Sequence, residues 1–246
     1  VGVYGNHDVP KCQAVFPYLK TQYPITIVER PRVVVVGDAA IACLPWPRKA
    51  DLLAAVGAKV SHEGAAQAAT NALKSVLSGF GVELAAHDGP RVFLGHCMVS
   101  GSRVSTGQPL APGAEFELGL PDLSMAKANV YLLGHIHMPQ RFDVIGAPGL
   151  MPGSPRRTAF GEVEDKTFAI VTISDTGVSI EDVVTPATPM LLLEATYDPE
   201  QGALIGDHRL VDVSGSEVRL RFTTPVQHRE SARARAPCRP LGNRAS

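Results

Sequence analysis

The sequence predicts a layered α/β domain followed by a small, strand-bearing appendage. Three observations carry that expectation. Short apolar runs alternate with one long region rich in Ala, Leu, Gln and Lys that has a helical period. Several runs end in Gly followed by Asn or His, so the turns after them present polar side chains. From about Thr185 the alternation stops, and two strand-like runs remain with a polar, Gly-containing connection between them.

Residues 1–4 read as a buried strand entering the Gly5-Asn6 turn. Strands are expected at 25–29 and Arg32–Val36, parted by Pro31, and at 40–44, halted by Pro45-Trp46-Pro47. Helices are expected at 49–56 and 63–77, the second with Ser61 placed as N-cap. Ala66, Ala69, Leu73, Val76 and Leu77 recur there at three- and four-residue steps, which makes one buried face. After Gly89-Pro90 a strand at 91–94 ends in Gly95-His96, and residues 100–122 read as a loop. A strand at 129–133 ends in Gly134-His135-Ile136-His137, and further strands are expected at 141–145, 167–173 and 178–184. The appendage, 185–228, carries strands at 190–196 and 217–222. Residues 229–246 hold five Arg and one Glu with no apolar period, and are expected to be disordered, with a phosphate-contacting arm as the alternative.

Composition narrows the function classes. The 246 residues are 45% hydrophobic and 19% charged, which is globular and not disordered. With 23 Lys+Arg against 24 Asp+Glu the net charge is −1, so bulk electrostatics does not make this a nucleic-acid coat. The cysteines (Cys12, Cys43, Cys97 and Cys238) are scattered, form no CxxC pair, and suggest a reducing, cytoplasmic chain. No apolar run approaches the ~20 residues of a membrane span. The chain opens on Val1 inside a strand, without a signal peptide's pattern, and is expected to be a fragment lacking its N-terminus.

Three motifs carry chemistry: Gly5-Asn6-His7-Asp8, Gly95-His96 and Gly134-His135-Ile136-His137. Alone, a Gly-His is worth little, and Asn-His-Asp after Gly is what an Asx turn looks like. Together, each after a strand, they form a set of imidazole and amide donors suited to Zn, Mn or Fe and not to Ca. Two His at i and i+2 can diverge to neighbouring metals, and a pair of ions ~3.5–4 Å apart clamps a phosphate and activates a water.

These motifs resemble the calcineurin-like metallophosphoesterase superfamily, and more narrowly the SbcD-type nuclease subunit of double-strand-break processing. The narrower likeness rests on Leu94 through Gly101, on Leu133 through Gln140 (LGHIHMPQ), and on Pro152-Gly153-Ser154-Pro155 through Phe160-Gly161-Glu162. Residues 183–228 loosely resemble that family's capping domain. The resemblance implies a layered αββα sandwich over 1–184, incomplete at its start, with a capping domain at 185–228. It implies that Asn6, His96 and His135 bind one metal and His137 the other, the family's usual ion being Mn. It implies that His7 stabilises the transition state or protonates the leaving oxygen, with Asp8 orienting it. DNA as substrate and an SMC-like ATPase subunit as partner are implied likewise, and a homodimer is left open. The superfamily's opening Asp-x-His and Gly-Asp-x-x-Asp have no counterpart here, since Gly37-Asp38 is followed by Ala39-Ala40-Ile41 and comes after the first motif. The expectation is therefore a chain that by itself binds one metal weakly and hydrolyses little. The other readings are a generic phosphoesterase acting on small phosphoesters, and a non-catalytic remnant.

Other residues weigh less. His62 and His87 read as surface histidines, His208 and His228 lie in the appendage without a partner motif, and Cys97 reads as a buried small hydrophobe. Trp46 is expected to pack the core, with base stacking as the alternative. Arg156-Arg157 reads equally as a contact to DNA phosphates or a solvated pair.

Overall fold

The computed structural model describes residues 1–8, 16–19, 22–55, 57, 64–105, 108, 116–160, 162–206 and 211–235. Cys12, Ser61, His62, Gly161, His208, Cys238 and the stretch 236–246 lie outside them. The chain divides into two compact units: Val1–Val104 with Pro109–Ser154 and Thr167–Val184, and Ser105–Gln108 with Pro155–Lys166 and Thr185–Ser246.

The first unit runs β1 (Gly2–Val3), β2 (Ile27–Val28), β3 (Arg32–Val36), β4 (Ala39–Leu44), α1 (Lys49–Ala55), α2 (Ala65–Ala85), β5 (Arg91–His96), β6 (Met98–Val99), β7 (Glu117–Leu118), α3 (Leu120–Ser124), β8 (Val130–Gly134), β9 (Gln140–Val144), β10 (Ala147–Met151), β11 (Thr167–Ser174) and β12 (Gly177–Val184). Its main sheet has six strands in the order β3-β4-β5-β8-β10-β9. The middle of that sheet is parallel, from β4 through β5 and β8 to β10, and antiparallel hairpins close both edges. Helix α2 buries Leu73, Leu77, Phe80 and Leu84 in the core that contains Phe93 and Tyr131. The Phe80 and Phe93 rings meet edge to face, 6.3 Å between centroids.

Several expectations change here. Helix α2 continues eight residues past the predicted end, because Phe80 and Leu84 extend the buried stripe and tertiary burial overrides the low propensity of Gly79 and Gly81. The predicted loop at 100–122 contains β7 and the start of α3. Strand β10 was hidden by Pro148-Gly149; it forms because β8 and β9 flank it on both sides.

The layered αββα sandwich is not what forms. A sandwich needs two large sheets face to face, whereas among the described residues one sheet has six strands and the others have two, two, two and three. The reason is in the strands themselves. β1 and β2 pair over only two residues. β11 and β12 spend their eight-residue register on each other as a hairpin, with Phe168 and Ile170 48% and 49% exposed on its open face.

In the second unit β13 (Met190–Asp198) lies between β14 (Ala203–Gly206) and β15 (Glu217–Thr223), antiparallel to the first and parallel to the second. Helix α4 (Arg229–Arg235) occupies the start of the stretch expected to be disordered. It is anchored by Ala232, fully buried with Ala195, Tyr197 and Leu204. A single small residue leaves no periodicity to detect.

This unit also buries a charged cluster. Lys166 Nζ lies 2.9 Å from Glu162 Oε2 and 3.0 Å from Glu164 Oε1, and the Lys166 and Glu162 side chains have no exposure. Thr158 donates to both Glu162 oxygens, from its N–H and its hydroxyl. Burial works to raise the pKa of Glu164, but hydrogen bonds, among them those from Ser105 and Lys166, outweigh it and hold the carboxyl at about 2. The Arg157 guanidinium donates to the carbonyls of Glu162, Glu164 and Ala187, so its reading as a DNA-phosphate contact is corrected: the side chain is spent on the fold. Arg156 is exposed. No helix among the described residues is long and apolar enough to cross a membrane.

Candidate functional site

Parallel pairing of β4, β5, β8 and β10 brings their carboxyl ends to one edge of the six-stranded sheet. In open α/β sheets this is the edge where ligands bind. From it project Trp46 and Arg48 after β4, His96 at the end of β5, His135 and His137 after β8, and Ser154 after β10. β1 delivers the Gly5-Asn6-His7-Asp8 turn to the same edge: the Trp46 N–H donates to the Tyr4 carbonyl at 2.8 Å. Across that junction Asn6 Oδ1 stands 3.0 Å from His96 Nε2.

Two glycines make room for His96. A Cβ on Gly5 would come within 2.8 Å of His96 Cε1, and one on Gly134 within 2.9 Å of its Nδ1. The imidazole thus sits in a cradle formed by the first residue of two of the motifs. His135 is 8% exposed, with its ring 5.5 Å from that of His96. It adopts φ +105°, a conformation that costs a non-glycine residue of order 1–3 kcal/mol and clusters at functional sites. Ile136, 2% exposed, roots this loop in the core between the two histidines.

Burial, reinforced by the neighbouring His135 and opposed by Asp8, pushes the His96 pKa down to about 4. At pH 7 the ring is therefore neutral, the form that can coordinate a metal. Asp8 is built into the turn, its Oδ2 accepting the Gly5 N–H at 2.7 Å and its N–H donating to the Gly5 carbonyl. Arg48 Nη2 donates to the Asp8 carbonyl at 3.0 Å. His7 is exposed at the tip of the turn. The Ser154 N–H donates to the His137 carbonyl at 3.1 Å, while its buried hydroxyl has no hydrogen-bond partner among the described residues.

The structure thus brings Asn6, His96 and His135 together, with His7, Asp8 and His137 on the adjoining turns. His96 Nε2–H donates to Asn6 Oδ1 across 3.0 Å, a spacing equal to that of neighbouring ligands placed ~2.1 Å from an octahedral ion. No group of three or more His, Cys, Asp or Glu able to hold a metal occurs among the described residues. Asn6, His96 and His135 are the residues that could hold an ion here.

Sequence reasoning underplayed three residues. Trp46, expected in the core, lies instead against the two histidines, 4.8 Å from His135 and 6.0 Å from His96 between ring centroids. Arg48 could have been found from its place directly after Pro45-Trp46-Pro47, and Ser154 from the Pro-Gly-Ser turn. His87 holds the Asp38 carbonyl at 2.8 Å, a structural role. Cys97 is fully buried, its thiol pushed up to about 12 by that burial.

No family model matches the chain, and no curated protein matches it. Among solved structures it is similar to "GAP50 the anchor in the inner membrane complex of Plasmodium", at 15% identity and a TM-score of 0.36, over 62% of this chain and 48% of that one. The chain therefore spans about half the length of that structure. A likeness of that depth assigns neither fold nor activity.

Proposed function

We propose that this chain is a metal-dependent phosphodiesterase acting on DNA, resembling the SbcD-type nuclease subunit and working with an SMC-like ATPase. The observation that carries the reading is the meeting of Asn6, His96 and His135, from three separate strand-end motifs, at one sheet edge. The buried, unpaired Cys43 and Cys97 suit a reducing compartment such as the cytoplasm.

A divalent ion bound there, Mn by the resemblance, would polarise a phosphoryl oxygen and lower the pKa of a water. The chain's own residues do the rest. Asn6 and His96 present a fixed pair of polar atoms, His96 cradled by Gly5 and Gly134 and held neutral by its partial burial. Asp8, through its bond to the Gly5 N–H, fixes the turn that presents His7 to solvent. His7 gives its Nε2 or Nδ1 proton to the departing ester oxygen. Arg48, tied to the Asp8 carbonyl, places a permanent positive charge beside the phosphate.

Incubation with end-labelled linear DNA and Mn²⁺ tests the reading. Slow cleavage is expected, abolished by EDTA and by His96→Asn, with little turnover of p-nitrophenyl phosphate. Cleavage indifferent to both treatments would overturn it. Preferential hydrolysis of the phosphomonoester would favour a generic phosphoesterase instead.

A further inference from the structure

The sequence holds a single tryptophan, and its position is unusual for so large an apolar side chain. Trp46 belongs neither to the buried core of its unit nor to the half-buried residues packed on that core. Its ring neighbours are two imidazoles, His135 at 4.8 Å with planes inclined by 39°, and His96 at 6.0 Å edge to face. The indole is only partly buried. The mount is stiff: Pro45 and Pro47 fix φ on either side, and the Trp46 N–H is tied to the Tyr4 carbonyl. An aromatic plane held rigidly outside the core, beside candidate ligands of a phosphate-binding ion, is placed for a ligand.

Resting on the phosphodiesterase reading above, we propose that Trp46 is the base-stacking element of the site. Its indole stacks on the nucleobase adjoining the phosphate held at Asn6, His96 and His135. His96 faces Asn6 with Nε2 and meets the indole with its ring, so the phosphate donors and the stacking plane are one imidazole apart. Within a nucleotide the sugar bridges a similar gap. A base in closed duplex already has both faces stacked, whereas an indole can take only a base freed on one side. The substrate class is therefore DNA whose terminal base is unpaired: single strands and frayed ends in preference to closed duplex. Stacking tolerates every base, so no sequence preference accompanies it.

Trp46 reports on itself, since all tryptophan fluorescence of the chain comes from it. The 246-residue chain is titrated with thymidine 5′-monophosphate, and with ribose 5-phosphate and inorganic phosphate as controls. Saturable quenching by the nucleotide and none by the controls is expected. By calorimetry, Trp46→Phe keeps the nucleotide affinity within about threefold, while Trp46→Leu loses ~5- to 100-fold. Thermal unfolding of both variants verifies that the fold persists. Absent quenching, or equal nucleotide affinity of the Phe and Leu variants, would overturn the proposal. Cleavage assayed on the same samples separates the two claims. Nucleotide quenching without any DNA cleavage sinks the phosphodiesterase reading and keeps the stacking. Mn-dependent cleavage of single strands by Trp46→Leu at the wild-type rate sinks the stacking and keeps the hydrolysis.

Discussion

Gly5 and Gly134 decide where His96 stands, because their missing Cβ atoms are the space its ring occupies. Gly134→Ala is expected to push the imidazole off Asn6 and weaken Mn²⁺ binding by ~10- to 100-fold, the usual penalty for disturbing what orients a ligand. Titration followed by electron paramagnetic resonance reads this directly, and unchanged affinity would refute the cradle. His96 also makes stability depend on pH. Its folded pKa of about 4 lies below the ordinary 6.5, so the unfolded chain takes up the proton first. Stability is thus full above pH 6.5 and lost as pH falls toward 4, by about 3 kcal/mol in total. Urea unfolding of wild type and His96→Asn at pH 7 and pH 4.5 checks the sign: the wild type should lose more stability than the variant on acidification. The donors themselves were legible in the sequence, since a Gly-bounded His or Asn at a strand's end needs only local pattern. Trp46 was not, because nothing local says whether an aromatic residue after a strand turns inward or along the edge.

Elements were legible where pattern and burial agree. The periodic stripe of α2 marked the helix, and the stripe's own continuation through Phe80 and Leu84 carried it beyond the predicted end at residue 77. Sheet membership was not legible. A run such as Thr167–Ser174 reads as a strand whether it joins a large sheet or closes a private hairpin, and the choice is made by tertiary pairing. The segment before β11 was opaque for another reason: nothing in Glu162, Glu164 and Lys166 announces that two of the three side chains are fully buried. Lys166→Met strands the Glu162 carboxylate in the interior without its cation and is expected to destabilise the chain by ~3–5 kcal/mol. Chemical denaturation measures it, and a cost below ~1 kcal/mol would mean that the pair is not buried in solution.

At the scale of the molecule, a net charge of −1 supplies no long-range attraction for DNA. On the proposed reading, affinity for a phosphodiester would come from the local chemistry of one sheet edge: Asn6, His96 and His135, Arg48, the exposed His7 and the indole of Trp46. The resemblance that pointed to this edge also implied a sandwich that the strands do not build, so the motifs and the architecture have to be judged separately. What stands behind the functional reading is the convergence of three motifs, and its first consequence is a metal. Mn²⁺ binding to the 246-residue chain, beside His96→Asn and His135→Asn, is the most direct measurement. One ion per chain in the wild type and none in either variant is the predicted result; no ion in the wild type, or equal binding in all three, would contradict it.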